Sequence, residues 1–294
     1  MSFTRTNSGL SNGHLFFDTE LIIYTEGGDR SFSIDDVENG RFGTKSIDIK
    51  FWKGLFDAAK FRRKVQFRSL GSKTASKQIR DKIITKEIKN VALVLDRDLD
   101  FITNPPVESP FILHTKGYSW ENDVYTEINT INQIKSILLD QELPKEIKEE
   151  VSSAYADFLR ISRRLLRVEV IFRSQGIKFI TEIKGDRFFD NKRSSKINKI
   201  QVINFIKKQK VNLKNRPVNM NFDLDGVCPI NNNYGKLLAA LSVTVINFIV
   251  KRNSSLTSIP TGLLESAMLE RYINKQISSC DSYYEKIISQ LESA

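Results

Sequence analysis

Histidine and cysteine are almost missing from this chain of 294 residues, which has two of each. Cys228 and Cys280 cannot build a disulfide framework and suit a reducing compartment, so a cytoplasmic location is expected. Nor can they form a zinc site with only His14 and His114 to help. Neither histidine has a partner at ligand spacing, and structural roles are expected for both. Long hydrophobic runs are missing too. The longest candidate, Leu237 to Val250, is broken by Ser242, Thr244 and Asn247. It falls short of the roughly 18 apolar residues that a membrane span requires, so no membrane is expected as a partner. The polar segment Met1 to Asn12 lacks the apolar core of a secretion signal, and secretion is not expected. No internal repeat and no low-complexity linker occurs.

Positive charge is what the chain has in excess. Lys and Arg number 45 against 35 Asp and Glu, a formal net charge of +10. The surplus is concentrated between Lys184 and Arg216, where eleven basic residues, Lys192 and Arg193 among them, face only Asp186 and Asp190. Such a patch is the footprint of a polyanion partner, nucleic acid above all; its bland alternative is a solvated loop. Hydrophobic content of 40% and charged content of 27% are ordinary for a globular protein. The length suffices for one large core or two moderate ones.

The first half alternates strand and helix signals, which predicts the α/β class with a parallel sheet and flanking helices. Leu21-Ile22-Ile23-Tyr24, Lys64 to Arg68, Val91 to Leu95 and Phe111 to His114 read as short strands. Helices are predicted over Asp48 to Phe61 and Thr74 to Lys89, and Ser119 reads as a helix N-cap with Asn122 three residues on. Residues 27–47 read as a loop insertion. From about 128 onward the pattern is mostly helical, with a long helix from Pro144 to Phe172 and others over Lys196 to Lys210, Tyr234 to Lys251 and from Thr261 to beyond Cys280. A catalytic α/β domain over 1–127 and a helical region over 128–294 are expected. In the long helix Arg160, Arg163, Arg164 and Arg167 fall at i, i+3, i+4 and i+7, on one face. With Lys192 and Arg193 they are the candidate nucleic-acid-binding residues, the alternatives for the helix being a solvated face or an acidic protein partner.

Two apolar runs end in carboxylates. The first strand runs into Thr25-Glu26-Gly27, and the third into Asp96-Arg97-Asp98-Leu99-Asp100. In open α/β sheets ligands collect beyond the carboxyl ends of the strands. If these strands are neighbours, several carboxylates converge there, and a proton or a cation must offset their repulsion. Oxygen-only donors suit Mg²⁺ or Mn²⁺, which points to metal-dependent phosphoryl transfer. Lys73 and Lys116 follow strand ends; each reads as an exposed, solvated side chain, with a cation for a scissile phosphate as the functional alternative.

A strand-end Glu-Gly followed by a strand-end Asp-x-Asp resembles the Toprim pattern. Glu26-Gly27-Gly28, Asp48-Ile49-Lys50-Phe51-Trp52, Asp96 to Asp100, Tyr118-Ser119-Trp120-Glu121-Asn122 and Tyr234-Gly235-Lys236-Leu237-Leu238 also occur in one familiar order. It is similar to that of the AriB family, the Toprim-like effectors of PARIS anti-phage systems, over most of the chain. The resemblance implies Glu26 as metal ligand or general base and Asp96 and Asp98 as metal ligands. It implies Asp100 as a ligand for a second metal and Glu121 near the same site. For the acidic residue that often follows the Glu-Gly, Asp29 and Asp48 are both candidates. It further implies a toxic endoribonuclease that cleaves host tRNA in abortive infection, a homodimeric active form, and an ABC-type ATPase (AriA-like) that holds it inactive.

Other patterns carry less. Phe222-Asp223-Leu224-Asp225-Gly226 is a second Asp-x-Asp, but no apolar strand precedes it and a turn is expected. Gly235-Lys236 lacks the upstream glycine of a phosphate-binding loop. A haloacid-dehalogenase reading wants Thr or Val four residues after its first Asp, where this chain has Asp100. The competing functional class is an adaptor that binds nucleic acid or an ATPase through a degenerate Toprim domain.

Overall fold

The computed structural model describes residues 8–99, 108–180, 185–190, 194–213, 224 and 227–294. In chain order its first elements are α1 (Ser8–Phe16), β1 (Leu21–Thr25), α2 (Ile34–Glu38), α3 (Ile47–Ala58), β2 (Val65–Ser69) and α4 (Lys73–Ile84). β3 (Val91–Leu95), β4 (Ile112–His114), α5 (Trp120–Val124), α6 (Glu127–Leu138) and α7 (Lys145–Ser174) follow. The rest is helical: α8 (Lys199–Lys210), α9 (Gly235–Asn253), α10 (Thr261–Ser278) and α11 (Ser282–Glu292). The expected α/β class and helical C-terminal region are therefore present. No described helix is long and apolar enough to cross a membrane.

The chain forms two compact units, and they do not divide it at 127. The first takes its described residues from Met1–Arg97, Pro106–Lys116 and Ile273–Ala294; the second takes them from Asp98–Pro105 and Gly117–Tyr272.

In the first unit four strands form one parallel sheet in the order β2-β1-β3-β4. All five residues of β1 and of β3 are buried, which is why both sequences are continuous apolar runs rather than alternating ones. Ile22, Tyr24, Leu93 and Leu95 share a core with Ile79 and Ile83 of α4 and Leu10 of α1. Serines set the helix starts: Ser46 accepts from the Ile49 amide, and Ser72 from the Ala75 amide. α4 stops at Ile84, short of the predicted Lys89. Thr85 turns its hydroxyl back onto the Asp81 carbonyl (3.0 Å), and Lys86 takes a left-handed backbone (φ 59°) that no helix continues through. The region read as a loop insertion holds α2, begun by a capping box in which Ser33 and Asp36 satisfy each other's amides. α3 is anchored by aromatic packing: Phe51, Trp52 and Tyr284 of α11 meet edge to face, with centroids 5.6–5.9 Å apart.

The second unit is a helical assembly around α9. Leu237, Leu238, Leu241, Val245, Ile246, Ile249 and Val250 are buried there, and Phe248 is half-buried. Its buried polar groups satisfy one another: Thr130 bonds both the Tyr155 hydroxyl (2.7 Å) and the Ser242 hydroxyl (2.6 Å), and Tyr155 donates to the Tyr125 carbonyl. Pro144 precedes α7, where its missing amide costs nothing.

Candidate functional site

β1 and β3 are the two central strands, paired with Thr25 beside Val94. From β1 the chain leaves toward β2 on one side, and from β3 toward β4 on the other, so the order reverses between them. A parallel sheet opens its ligand crevice at the carboxyl ends of such a strand pair. Glu26 is the first residue past β1 and Asp96 the first past β3. The Glu26 amide still donates to the Val94 carbonyl (3.2 Å), which keeps it on the ladder. The expectation that the two carboxylate-tipped strands are neighbours is met.

Three cations and acids of the first unit refine this end of the sheet. Lys73, the first residue of α4, places its Nζ 3.3 Å from Glu26 Oε1; the Glu26 side chain is mostly buried and the Lys73 side chain mostly exposed. Asp48, in the first turn of α3, stands over Gly27. A Cβ at residue 27 would lie 2.3 Å from Asp48 Oδ2 and 2.5 Å from Oδ1. Of the two acidic candidates to follow the Glu-Gly, it is thus Asp48 that meets its backbone, while Asp29 is exposed. Lys116 pairs with Asp281, the N-cap of α11, at 2.6 Å. The turn after β3 is pinned by Thr115, which accepts from the Arg97 amide (3.0 Å) and donates its own amide to the Leu95 carbonyl.

Asp98 belongs to the second unit, held by Tyr118. Its backbone is left-handed (φ 48°), and its amide donates to the Tyr118 carbonyl at 2.9 Å. Its carboxylate bonds the Tyr118 hydroxyl. Burial, reinforced by the Asp98 charge, pushes that hydroxyl far above the usual tyrosine range, so it stays protonated as a donor. Arg173 donates to the same hydroxyl (2.9 Å) and to Glu169 (2.7 Å). Sequence reasoning missed Glu169 and Arg173; their only signal was an i, i+4 acid–base pair on α7.

Glu121 is buried, and the Ser119 hydroxyl donates to its Oε2 at 2.5 Å. Burial raises its pKa, opposed by the Ser119 bond and the Lys236 charge. Asn122 donates to the carbonyls of Ile230 (2.7 Å) and Asn233 (3.0 Å). Gly235 comes so close that a Cβ there would meet Ser119 Oγ at 2.1 Å. The Tyr118–Asn122 and Tyr234–Leu238 motifs, 111 residues apart at the Asn122–Asn233 bond, thus form one latch.

Arg160, Arg163, Arg164 and Arg167 are all exposed on α7. Arg160 pairs with Asp157, which is buried and also meets Lys196 (3.4 Å) and Lys199 (3.3 Å). Burial works against the Asp157 charge, yet the two lysines outweigh it and lower its pKa. Asp100, Lys192, Arg193 and the turn residues Asp223 and Asp225 lie outside the described residues.

Among the described residues no three His, Cys, Asp or Glu side chains are grouped to hold a metal ion. The carboxylates of Glu26, Asp48 and Asp96 are hard oxygen donors of the kind Mg²⁺ takes, so the fit is one of donor chemistry. No protein-family model matches the chain, and no curated protein matches it.

Proposed function

We propose that this protein is a Toprim-type, Mg²⁺-dependent nuclease acting on RNA, with host tRNA the substrate that the AriB resemblance implies. The observation that carries the reading is the placement of Glu26 and Asp96 at the carboxyl ends of adjacent central strands, where the strand order reverses. Asp48 over Gly27 supports it, because a third acidic group reaches the Glu-Gly turn from another element.

Glu26 and Asp96, at the ends of the two central strands, would hold the ion, with Asp48 at the Glu-Gly turn. When bound, Mg²⁺ offsets charge on the phosphoryl oxygens and lowers the pKa of an attacking water. The chain's own groups do the rest. Glu26 accepts the proton of the attacking water, and Lys73 orients its carboxylate from 3.3 Å. The exposed ammonium of Lys73 also offers a positive charge to a non-bridging phosphate oxygen. With two histidines in the whole chain, a carboxylate is the reasonable base.

The resemblance extends the proposal to a toxic effector of anti-phage abortive infection, homodimeric when active and held inactive by an ABC-type ATPase. The net charge of +10 favours a polyanionic substrate. The test is expression of the chain and of Glu26→Ala, with small RNA resolved on gels, followed by cleavage of tRNA by the purified proteins with Mg²⁺ or a chelator. Cleavage that needs Mg²⁺ and disappears in Glu26→Ala is expected. Wild-type cleavage by Glu26→Ala overturns the assignment, and toxicity that persists in it without RNA cleavage favours the adaptor.

A further inference from the structure

We infer that the exposed face of α7, together with Lys196 and Lys199, is a surface that binds the phosphate backbone of RNA without reading its sequence. Arg160, Arg163, Arg164 and Arg167 cover about 10 Å of helix at about 1.5 Å per residue. Like charges at i, i+3 and i, i+4 repel, so this arrangement opposes the helix it sits on. The helix dipole does not account for it: Arg167 is already about two turns from the end at Ser174, and the dipole acts within the last turn.

Among the described residues, local acids do not offset it either: Asp157 pairs with this face, and it gathers three cations, Arg160, Lys196 and Lys199, for one negative charge. Asp157 is buried while the three cations keep 43–70% of their side-chain surface exposed. The anion thus serves as a root that clusters the charges and leaves their donors facing water. Among the described residues Arg163, Arg164 and Arg167 have no carboxylate partner.

Exposed guanidiniums are forks that match phosphate oxygens two at a time, and arginine outnumbers lysine along the helix itself. A run of phosphates supplies the repeating negative charge that such a face needs. Salt bridges to backbone phosphates carry no base information, so binding is sequence-independent.

This inference rests on RNA being the substrate proposed above, but not on the cleavage site. The experiment therefore uses the full chain carrying Glu26→Gln and two unrelated single-stranded RNA oligonucleotides of equal length. Binding is measured across roughly 50 to 200 mM salt. Replacing Arg163, Arg164 and Arg167 together with Gln should lower the slope of log affinity against log salt by about 2, at about 0.7 per lost phosphate contact. The loss should be equal for both sequences. Lys196→Gln with Lys199→Gln should lower the slope by about 1 more. Lysine at the three arginine positions keeps the charge and should keep the slope, which separates charge from folding. An unchanged slope in the Gln variant overturns the inference, as does a loss confined to one sequence. Binding to polyglutamate but not to either RNA also overturns it, in favour of an acidic protein partner.

Discussion

The Asp48 carboxylate lies against the backbone of Gly27, close enough to occupy the space of any side chain there. Glycine at 27 is therefore a packing requirement, distinct from any need for unusual backbone angles. Gly27→Ala forces a methyl group within 2.3–2.5 Å of the Asp48 carboxylate, so the Asp48 side chain, α3 or the turn after β1 must shift. A destabilisation of about 1–3 kcal/mol is expected, the usual range for overpacking. It is read from denaturant unfolding. In the double variant Gly27→Ala, Asp48→Ala, most of that loss should return; a loss that stays unchanged would place the strain elsewhere.

The Lys73–Glu26 pair separates stability from chemistry. Lys73 is 62% exposed, so its ion pair contributes well under 1 kcal/mol to folding. Lys73→Met should leave the melting temperature within a degree or two of the wild type. Cleavage of tRNA should nevertheless fall by at least tenfold, because the variant removes both the charge that orients Glu26 and the one offered to the phosphate. Equal cleavage by Lys73→Met and wild type would assign Lys73 to the surface alone.

Much of this site was legible before any coordinates, and the reasons are local. Strands buried on both faces must be apolar throughout, so β1 and β3 were written plainly as Leu21 to Tyr24 and Val91 to Leu95. Ser119 is the N-cap that the sequence predicts, and Asn122, three residues on, accepts from its amide. What could not be read was long-range. That Asp48 rather than Asp29 meets Gly27 depends on α3 docking through Phe51, Trp52 and Tyr284, the last of them more than two hundred residues away. Lys116 reads in the sequence as a candidate phosphate-facing cation because its partner, Asp281, lies 165 residues further along the chain. The Ser119–Gly235 latch was invisible for the same reason.

That latch makes a pH prediction. Burial raises the Glu121 pKa in the folded protein, so the folded state favours the protonated carboxyl. The corresponding stability is complete below the unfolded pKa of about 4.3 and is lost as pH rises through the folded value. Glu121→Gln keeps an acceptor for Ser119 without the charge. It should melt above the wild type at pH 7 to 8, with the gap closing as pH falls toward about 4. A gap independent of pH would show that Glu121 does not titrate with folding. Gly235→Ala should destabilise at every pH, since its methyl group meets Ser119 Oγ whatever the charge on Glu121.

The hold on Asp98 gives the last prediction. Its carboxylate bonds the Tyr118 hydroxyl, and that hydroxyl accepts from Arg173, which Glu169 fixes in turn. Tyr118→Phe removes one oxygen and leaves the ring against Tyr234, whose centroid is 5.9 Å away. The half-buried Arg173 then loses an acceptor and Asp98 loses a donor. A hydrogen bond to a charged group contributes about 1.5–3 kcal/mol, so unfolding free energy should fall by that order. If Asp98 takes part in cleavage, as its Asp-x-Asp position implies, the same variant should also cleave tRNA at least tenfold more slowly. Arg173→Gln should repeat the pattern more weakly, because Tyr118 still donates to Asp98. A Tyr118→Phe protein that is destabilised yet cleaves at the wild-type rate below its melting temperature would confine this network to folding and remove Asp98 from the chemistry.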